Sequence, residues 1–469
     1  GANTYDGTTL ISAGALQVGN GGATGQLGAG NVTNNASLVV NRTGAISIGN
    51  TISGTGSLTK LAAGTLTLSA SNTFQGGSTL SGGALRVANA NALGTGAMIS
   101  SLGTTLEVTN SINVTNTLSV YNVKFLDGGN TLSGRITNNN TVYDVNAGQT
   151  NTLSGYVTGS GSVTLIGGGV LNISGTTNDY TGNTVISNGT VRISTLNNTN
   201  TAGPLGVSNN ITLAGANASN SIIDYTGGNV TTDRSFVVNG VATNGEGGTL
   251  RISNSSSVVT LNGSASGTGR MIVDGGTLVL SNTTTANSFA PGSIQVNSNS
   301  VLQLAANDQI GNSTGLILNG GTFRVGTAST GFSDTLGTLT LSASSTIDLG
   351  AWSTGVRTLT FANSSAITWS GTLTITNWQG VALQSSDVAE IIFGTGGLTS
   401  TQLGQIYFAN QNINGGALIG PGGELVPIPE PRVYAAAVAL LAAVGWRERK
   451  RLRELLTKGL AKKSATPKA

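Results

Sequence analysis

Short apolar runs alternate with small polar residues along nearly the whole chain. In residues 54–69, GTGSLTKLAAGTLTLS, Leu58, Leu66 and Leu68 alternate with Ser and Thr. That is the period of a strand with one buried face. The same pattern returns as GSGSVTLIGGGVLNIS at 159–174 and GTGRMIVDGGTLVLS at 267–281. Between the copies run further short segments such as SLVV, TLEV, TLRI, LVL, LQL, TFRV and TLTL, separated by Gly, Asn and Thr. A strand–turn unit of this size has no core of its own, so it is stable only by stacking on its neighbours. The pattern predicts an all-β parallel β-helix. At roughly 20–25 residues per turn the chain would make about 17–20 turns, giving a rod on the order of 80–95 Å at ~4.8 Å per stacked strand.

Composition narrows what such a rod does. Charged residues are 8% and aromatics 4% of the chain, and there is no Cys and no His. This excludes disulfides, thiolate sites, a Ser-His-Asp triad and His-bearing zinc sites. The net charge of +3 divides unevenly. Residues 1–431 carry 11 basic and 16 acidic side chains, and residues 432–469 carry 10 and 2. The acidic body lacks the basic stripe with aromatics that nucleic-acid binding needs, so no nucleic-acid partner is expected. Aspartates such as Asp127, Asp224, Asp274 and Asp348 fall at turns or strand ends, where capping the backbone is their ordinary use. No calcium nonapeptide and no phosphate loop occurs. No catalytic, cofactor-binding or metal residues are assigned, and the chain is not read as an enzyme.

Residues 54–97, GTGSLTKLAAGTLTLSASNTFQGGSTLSGGALRVANANALGTGA, resemble the autotransporter-associated β-strand repeat. Residues 1–20 match its second half, and 159–194 and 267–281 match more loosely. The resemblance implies a right-handed parallel β-helix in surface-exposed passengers. Residue 1 falls inside a repeat, so the β-helix of residues 1–350 is expected to be truncated at its N-terminus. Pairs such as Asn34-Asn35, Asn197-Asn198 and Asn209-Asn210 suit turns, because Asn tolerates left-handed backbone. Residues 351–425 gather Trp352, Trp369, Trp378, Phe361, Phe393, Tyr407 and Phe408. An aromatic-rich module covering the open end of the solenoid accounts for them better than a ligand platform, since an exposed terminal turn invites edge pairing.

The C-terminus changes character. A Pro-rich linker (426–432) leads into VYAAAVALLAAVGW (433–446) and a basic tail (447–469). Pro429-Glu430-Pro431, the apolar stretch and the cluster Arg447, Arg449, Lys450, Arg451, Arg453 resemble the PEP-CTERM sorting signal. The resemblance implies recognition by an exosortase-type membrane peptidase. The C-terminal hydrophobic helix would lie transiently in the inner membrane, with the basic tail in the cytoplasm as its stop. Fourteen apolar residues are fewer than the roughly 20 of a full span. The leading expectation is an exported structural or adhesion-type protein of the cell surface or extracellular matrix, associated with exopolysaccharide. The alternatives are a β-helix polysaccharide hydrolase or lyase, and an autotransporter passenger.

Overall fold

The computed structural model describes residues 3–217, 220–326, 332–351, 355–379, 389–409, 416–428, 446–451 and 453. Strands of mostly three to five residues stack in parallel columns, making a solenoid of about 16 turns. One column runs Leu16, Leu38, Leu58, Ser78, Met98, Leu118, Ile136, each residue opposite the next turn's. A second runs Ile46, Leu66, Leu85, Leu106, Val123, Tyr143, Leu165, Ile186, Leu213. Strand Thr65–Leu68 shows the rule: Leu66 and Leu68 are buried while Thr65 and Thr67 face outward. Each such leucine contributes about 1.5–3 kcal/mol on burial, and stacking aligns them in a single continuous core.

The motif glycines are explained by how closely turns approach. Gly54, Gly159 and Gly267 open the three copies, with φ of 100°, 114° and 108°. A Cβ on them would meet the carbonyl oxygens of Asn34, Asn138 and Val238 one turn earlier, at 2.2, 2.7 and 2.2 Å. Only glycine satisfies both constraints. Buried asparagines hold other corners. The Asn72 Oδ1 accepts from the Ile52 N–H at 2.8 Å and its Nδ2 donates to the Ala92 carbonyl at 2.7 Å, tying three turns together. Asn130 and Asn178 bridge turns in the same way. Left-handed backbone falls on other asparagines, namely Asn110, Asn140, Asn200, Asn287, Asn299 and Asn377. Asn34 instead sits buried in strand Val32–Asn34, its Nδ2 donating to the Ser57 carbonyl.

Turn length is not uniform, which is why the turns are fewer than the sequence predicts. Through residue 193, partners lie 18–23 residues apart, as Val114 opposite Leu132 and Ile11 opposite Asn34. Val191 pairs with Ile223, Ile223 with Leu250 and Ile375 with Phe408, much longer steps. Two excursions are held by buried cations. Arg234, 1% exposed, donates to the carbonyls of Asn197, Leu205, Gly206 and Ser208 at 2.5–3.3 Å. Arg357, also 1% exposed, donates to the carbonyls of Val325 and Leu349, both at 2.7 Å. Burial lowers the pKa of both.

Toward the C-terminal end the aromatics point inward. Phe361 and Phe393 stack at 5.1 Å, Trp369 meets Phe393 edge-on, and Trp378 meets Phe408 at 5.3 Å. The Trp369 Nε1 donates to the Leu339 carbonyl at 3.0 Å. The short helix Ser400–Gly404 is fixed by a Thr399/Gln402 capping box. An antiparallel hairpin, Ala417–Ile419 with Leu425–Pro427, lies beside it. Trp352 lies outside the described residues.

Candidate functional site

Outward strand positions are what the rod presents, and their charges are ordered by register. Arg86, Glu107, Lys124 and Asp144 occupy successive turns at one position of one column. Arg86 pairs with Glu107 at 2.8 Å and Lys124 with Asp144 at 3.4 Å. A second row runs Arg192, Asp224, Arg251, Asp274, with Arg192–Asp224 at 2.8 Å and Arg251–Asp274 at 3.0 Å. It continues into Asn297 and Asn319, each amide donating one turn back, to Asp274 and to Asn297. Arg324 and Asp348 make a third pair at 2.9 Å. Alternating signs put every charge of these rows next to its opposite, so no single-sign field builds up along them. Around the rows the outward positions are mostly Thr, Ser and Asn, as in Thr59–Thr79 and Thr322–Thr346–Thr374.

This arrangement decides what the carboxylates can do. The sequence reads Asp224, Asp274 and Asp348 as capping residues, yet all three are strand residues in charge rows, because stacking brings an arginine to each. Asp348 does both, its Oδ1 also accepting from the Gly350 N–H. Asp127 does cap a turn, accepting from Thr109 and the Asn110 N–H; these and other bonds hold its pKa low against the opposing effect of burial. Asp224 and Asp274 share a column two turns apart, a distance of about 10 Å, with Arg251 between them. Both oxygens of each are engaged: Asp224 by Arg192 and Ser253, Asp274 by Arg251 and Asn297. A general acid or base needs a free oxygen facing substrate, and neither carboxylate offers one.

Two polar groups buried inside were not legible as such. Lys60 faces the core in strand Ser57–Lys60, its ammonium donating to the Ala62 and Gly82 carbonyls, and burial lowers its pKa. Asp334 also points inward, 1% exposed. Its Oδ2 accepts from the N–H groups of Gln309 and Ile310 at 2.8 and 3.2 Å. Those two amides have the carboxylate where a neighbouring strand would supply a carbonyl. Burial pushes the Asp334 pKa up to about 7, against the lowering effect of those two bonds. Among the described residues no three His, Cys, Asp or Glu side chains come together as a metal site.

The predicted sorting residues Pro429, Glu430 and Pro431 lie outside the described residues, as do 432–445 of the apolar stretch. Residues 446–451 are helical, with Arg447, Arg449, Lys450 and Arg451 exposed, and Arg453 is exposed as well. The Lys450 ammonium lies 5.8 Å from the Trp446 ring and Arg451 lies 3.8 Å from Glu448. Among the described residues no helix is long and apolar enough to cross a membrane.

Comparison with known proteins agrees with the rod. The family model of the passenger-associated-transport repeat matches residues 1–18, 58–87 and 157–193. Autotransporter-associated β-repeats therefore occur at three places in this chain. The chain is also 31% identical over 252 residues to the adhesin BmaC autotransporter of Brucella suis biovar 1 (strain 1330). That alignment covers 46% of this chain and 7% of the relative. No solved structure matches the chain.

Proposed function

We propose that the chain is part of an exported, surface-exposed rod that works by adhesion rather than catalysis. The observation that carries this reading is the likeness to an autotransporter adhesin, on a fold whose strand-face carboxylates are held by structural partners. Long polar faces of Thr, Ser and Asn supply the contact surface, and exopolysaccharide or other matrix glycans are the partners in view. Such contacts are many and individually weak, so affinity comes from repetition along the rod.

Delivery has two readings. In the first, an exosortase-type peptidase recognises Pro429-Glu430-Pro431 after the apolar stretch has engaged the inner membrane, with Arg447 to Arg453 as the stop. In the second, the rod is an autotransporter passenger, a reading favoured by the matched repeats. Catalysis by a polysaccharide hydrolase or lyase is the weaker functional alternative.

Surface display decides between them. Cells expressing the chain with its native export context should lose rod to protease shaving and lose attachment to a glycan-coated surface when the gene is deleted. Intact rod after shaving and unchanged attachment would end the adhesion reading. Glu430→Ala should leave the tail uncleaved in a host that has the peptidase; identical product sizes for variant and wild type would favour the passenger reading.

A further inference from the structure

We propose that the outer face of the rod over Arg270, Ser293, Gly315 and Thr338 is a trough that binds one acidic polysaccharide chain. The inference rests on the adhesion reading and gives it a site and a ligand class.

The trough is made by register. Arg270 lies opposite Ser293, and Ser293 opposite Gly315. Gln295, Ile317 and Thr340 form the parallel row on the same face. Thr243, from the turn Ala242–Asn244, forms part of the lining, and the groove holds about 540 Å³.

Two observations mark it as more than a dip in the surface. Ser293 is only 8% exposed and lines the trough, yet its buried Oγ has no hydrogen-bond partner in the protein. Buried hydroxyls are nearly always satisfied, and one that is not, beside an open groove, awaits a donor or acceptor from outside. Gly315 stands inside strand Gly315–Asn319 without a left-handed φ. A Cβ there would meet the Thr338 Oγ1 at 3.6 Å and the Ser293 Cβ at 3.8 Å, which is ordinary contact. The backbone therefore does not require glycine, although glycine weakens a strand. What its missing side chain leaves is the floor of the trough.

The lining selects the ligand. Hydroxyls of Ser293, Ser313, Thr338 and Thr340 and the amide of Asn312 match the alcohols of a sugar chain. Arg270, whose Nη1 donates to the Gln295 Oε1 at 3.3 Å, is the one charged group in the lining and no carboxylate accompanies it. A guanidinium favours a uronate or other carboxylate-bearing sugar. The strand edges here already pair with their neighbours, so an extended peptide has no ladder to join. No aromatic lines the trough, so stacking of nucleobases is not offered.

The test uses the full chain and oligogalacturonate, with dextran as the neutral control, by calorimetry at two salt concentrations. Oligogalacturonate should bind and weaken with salt, and dextran should not bind. Arg270→Gln should weaken binding at least tenfold. Gly315→Val should abolish it while the melting temperature stays equal or rises. Arg135→Gln, on an exposed arginine outside the trough, should change nothing. Equal affinity of wild type and Gly315→Val, binding of dextran as strong as that of the uronate, or no binding of the uronate at all would overturn the proposal. If uronate binding behaves as expected but cells do not attach through the rod, the adhesion reading fails and the trough stands.

Discussion

The turns up to residue 193 and those after it are built by the same rule and yield different surfaces. In the first part the steps are 18–23 residues, corners are held by asparagine amides, and all three matches to the transport repeat fall there. Little chain is left over to form walls, so the outer face is a regular array of Thr, Ser and paired charges. In the second part the steps lengthen to 32 and 27 residues near Val191–Leu250, and the surplus forms excursions held by buried arginines. The only difference is residues per turn, since the inward alternation of aliphatics never lapses. A solenoid thus gains a shaped surface by lengthening turns while the core stays unchanged. The regular part serves as spacer and the irregular part as the place where a concave site can exist.

Removing the anchor of an excursion should break this difference most visibly. Arg234→Ala leaves four carbonyls without their donor in a buried place and should destabilise the second part by about 3 kcal/mol or more. Backbone exchange at 197–208 should rise first while the turns before residue 193 stay protected; uniform loss along the rod would mean that the two parts are not separable. Leu106→Ala, in the regular part, should cost about 2–5 kcal/mol and loosen adjoining turns, because each turn contacts only its neighbours.

Asp334 gives a pH-dependent contrast. Its folded pKa of about 7 lies above the ordinary carboxylate value. The native state keeps the proton where the unfolded chain has lost it, so stability is fully present below about pH 4 and falls as pH rises through 7. Exchange at Gln309 and Ile310, corrected for intrinsic rate, should therefore rise between pH 5 and 8, and Asp334→Asn should remove that rise. The same pH profile in the variant would mean that another group is responsible.

The charge rows should matter least. Arg251→Gln leaves Asp274 with Asn297 and partial solvent, a loss of under about 1 kcal/mol that shrinks further in salt. A larger effect measured by thermal unfolding would show that the row acts cooperatively.

What the sequence made legible follows the same division. Strand alternation, the turn spacing of the first part and the meaning of the GTG and GSG glycines could all be read, because each is a local pattern repeated at constant period. Lys60, Arg234, Asp334 and Arg357 could not: a charged residue at a core position looks like a break in the pattern, and its backbone partners come from other turns. The charge rows were readable in principle, since Arg192, Asp224 and Arg251 hold the same place in their strands. Seeing it required knowing that 32 and then 27 residues separate them. Stacking register also hid the trough, as Arg270, Ser293 and Gly315 become neighbours only once turn lengths are fixed.

Hydrogen–deuterium exchange of the full chain with and without oligogalacturonate tests the division most directly. Protection confined to the turns carrying residues 243, 270, 292–317 and 337–340, with residues 32–190 unchanged, is the result predicted. Protection spread evenly along the rod, or centred before residue 193, would contradict the division into spacer and site.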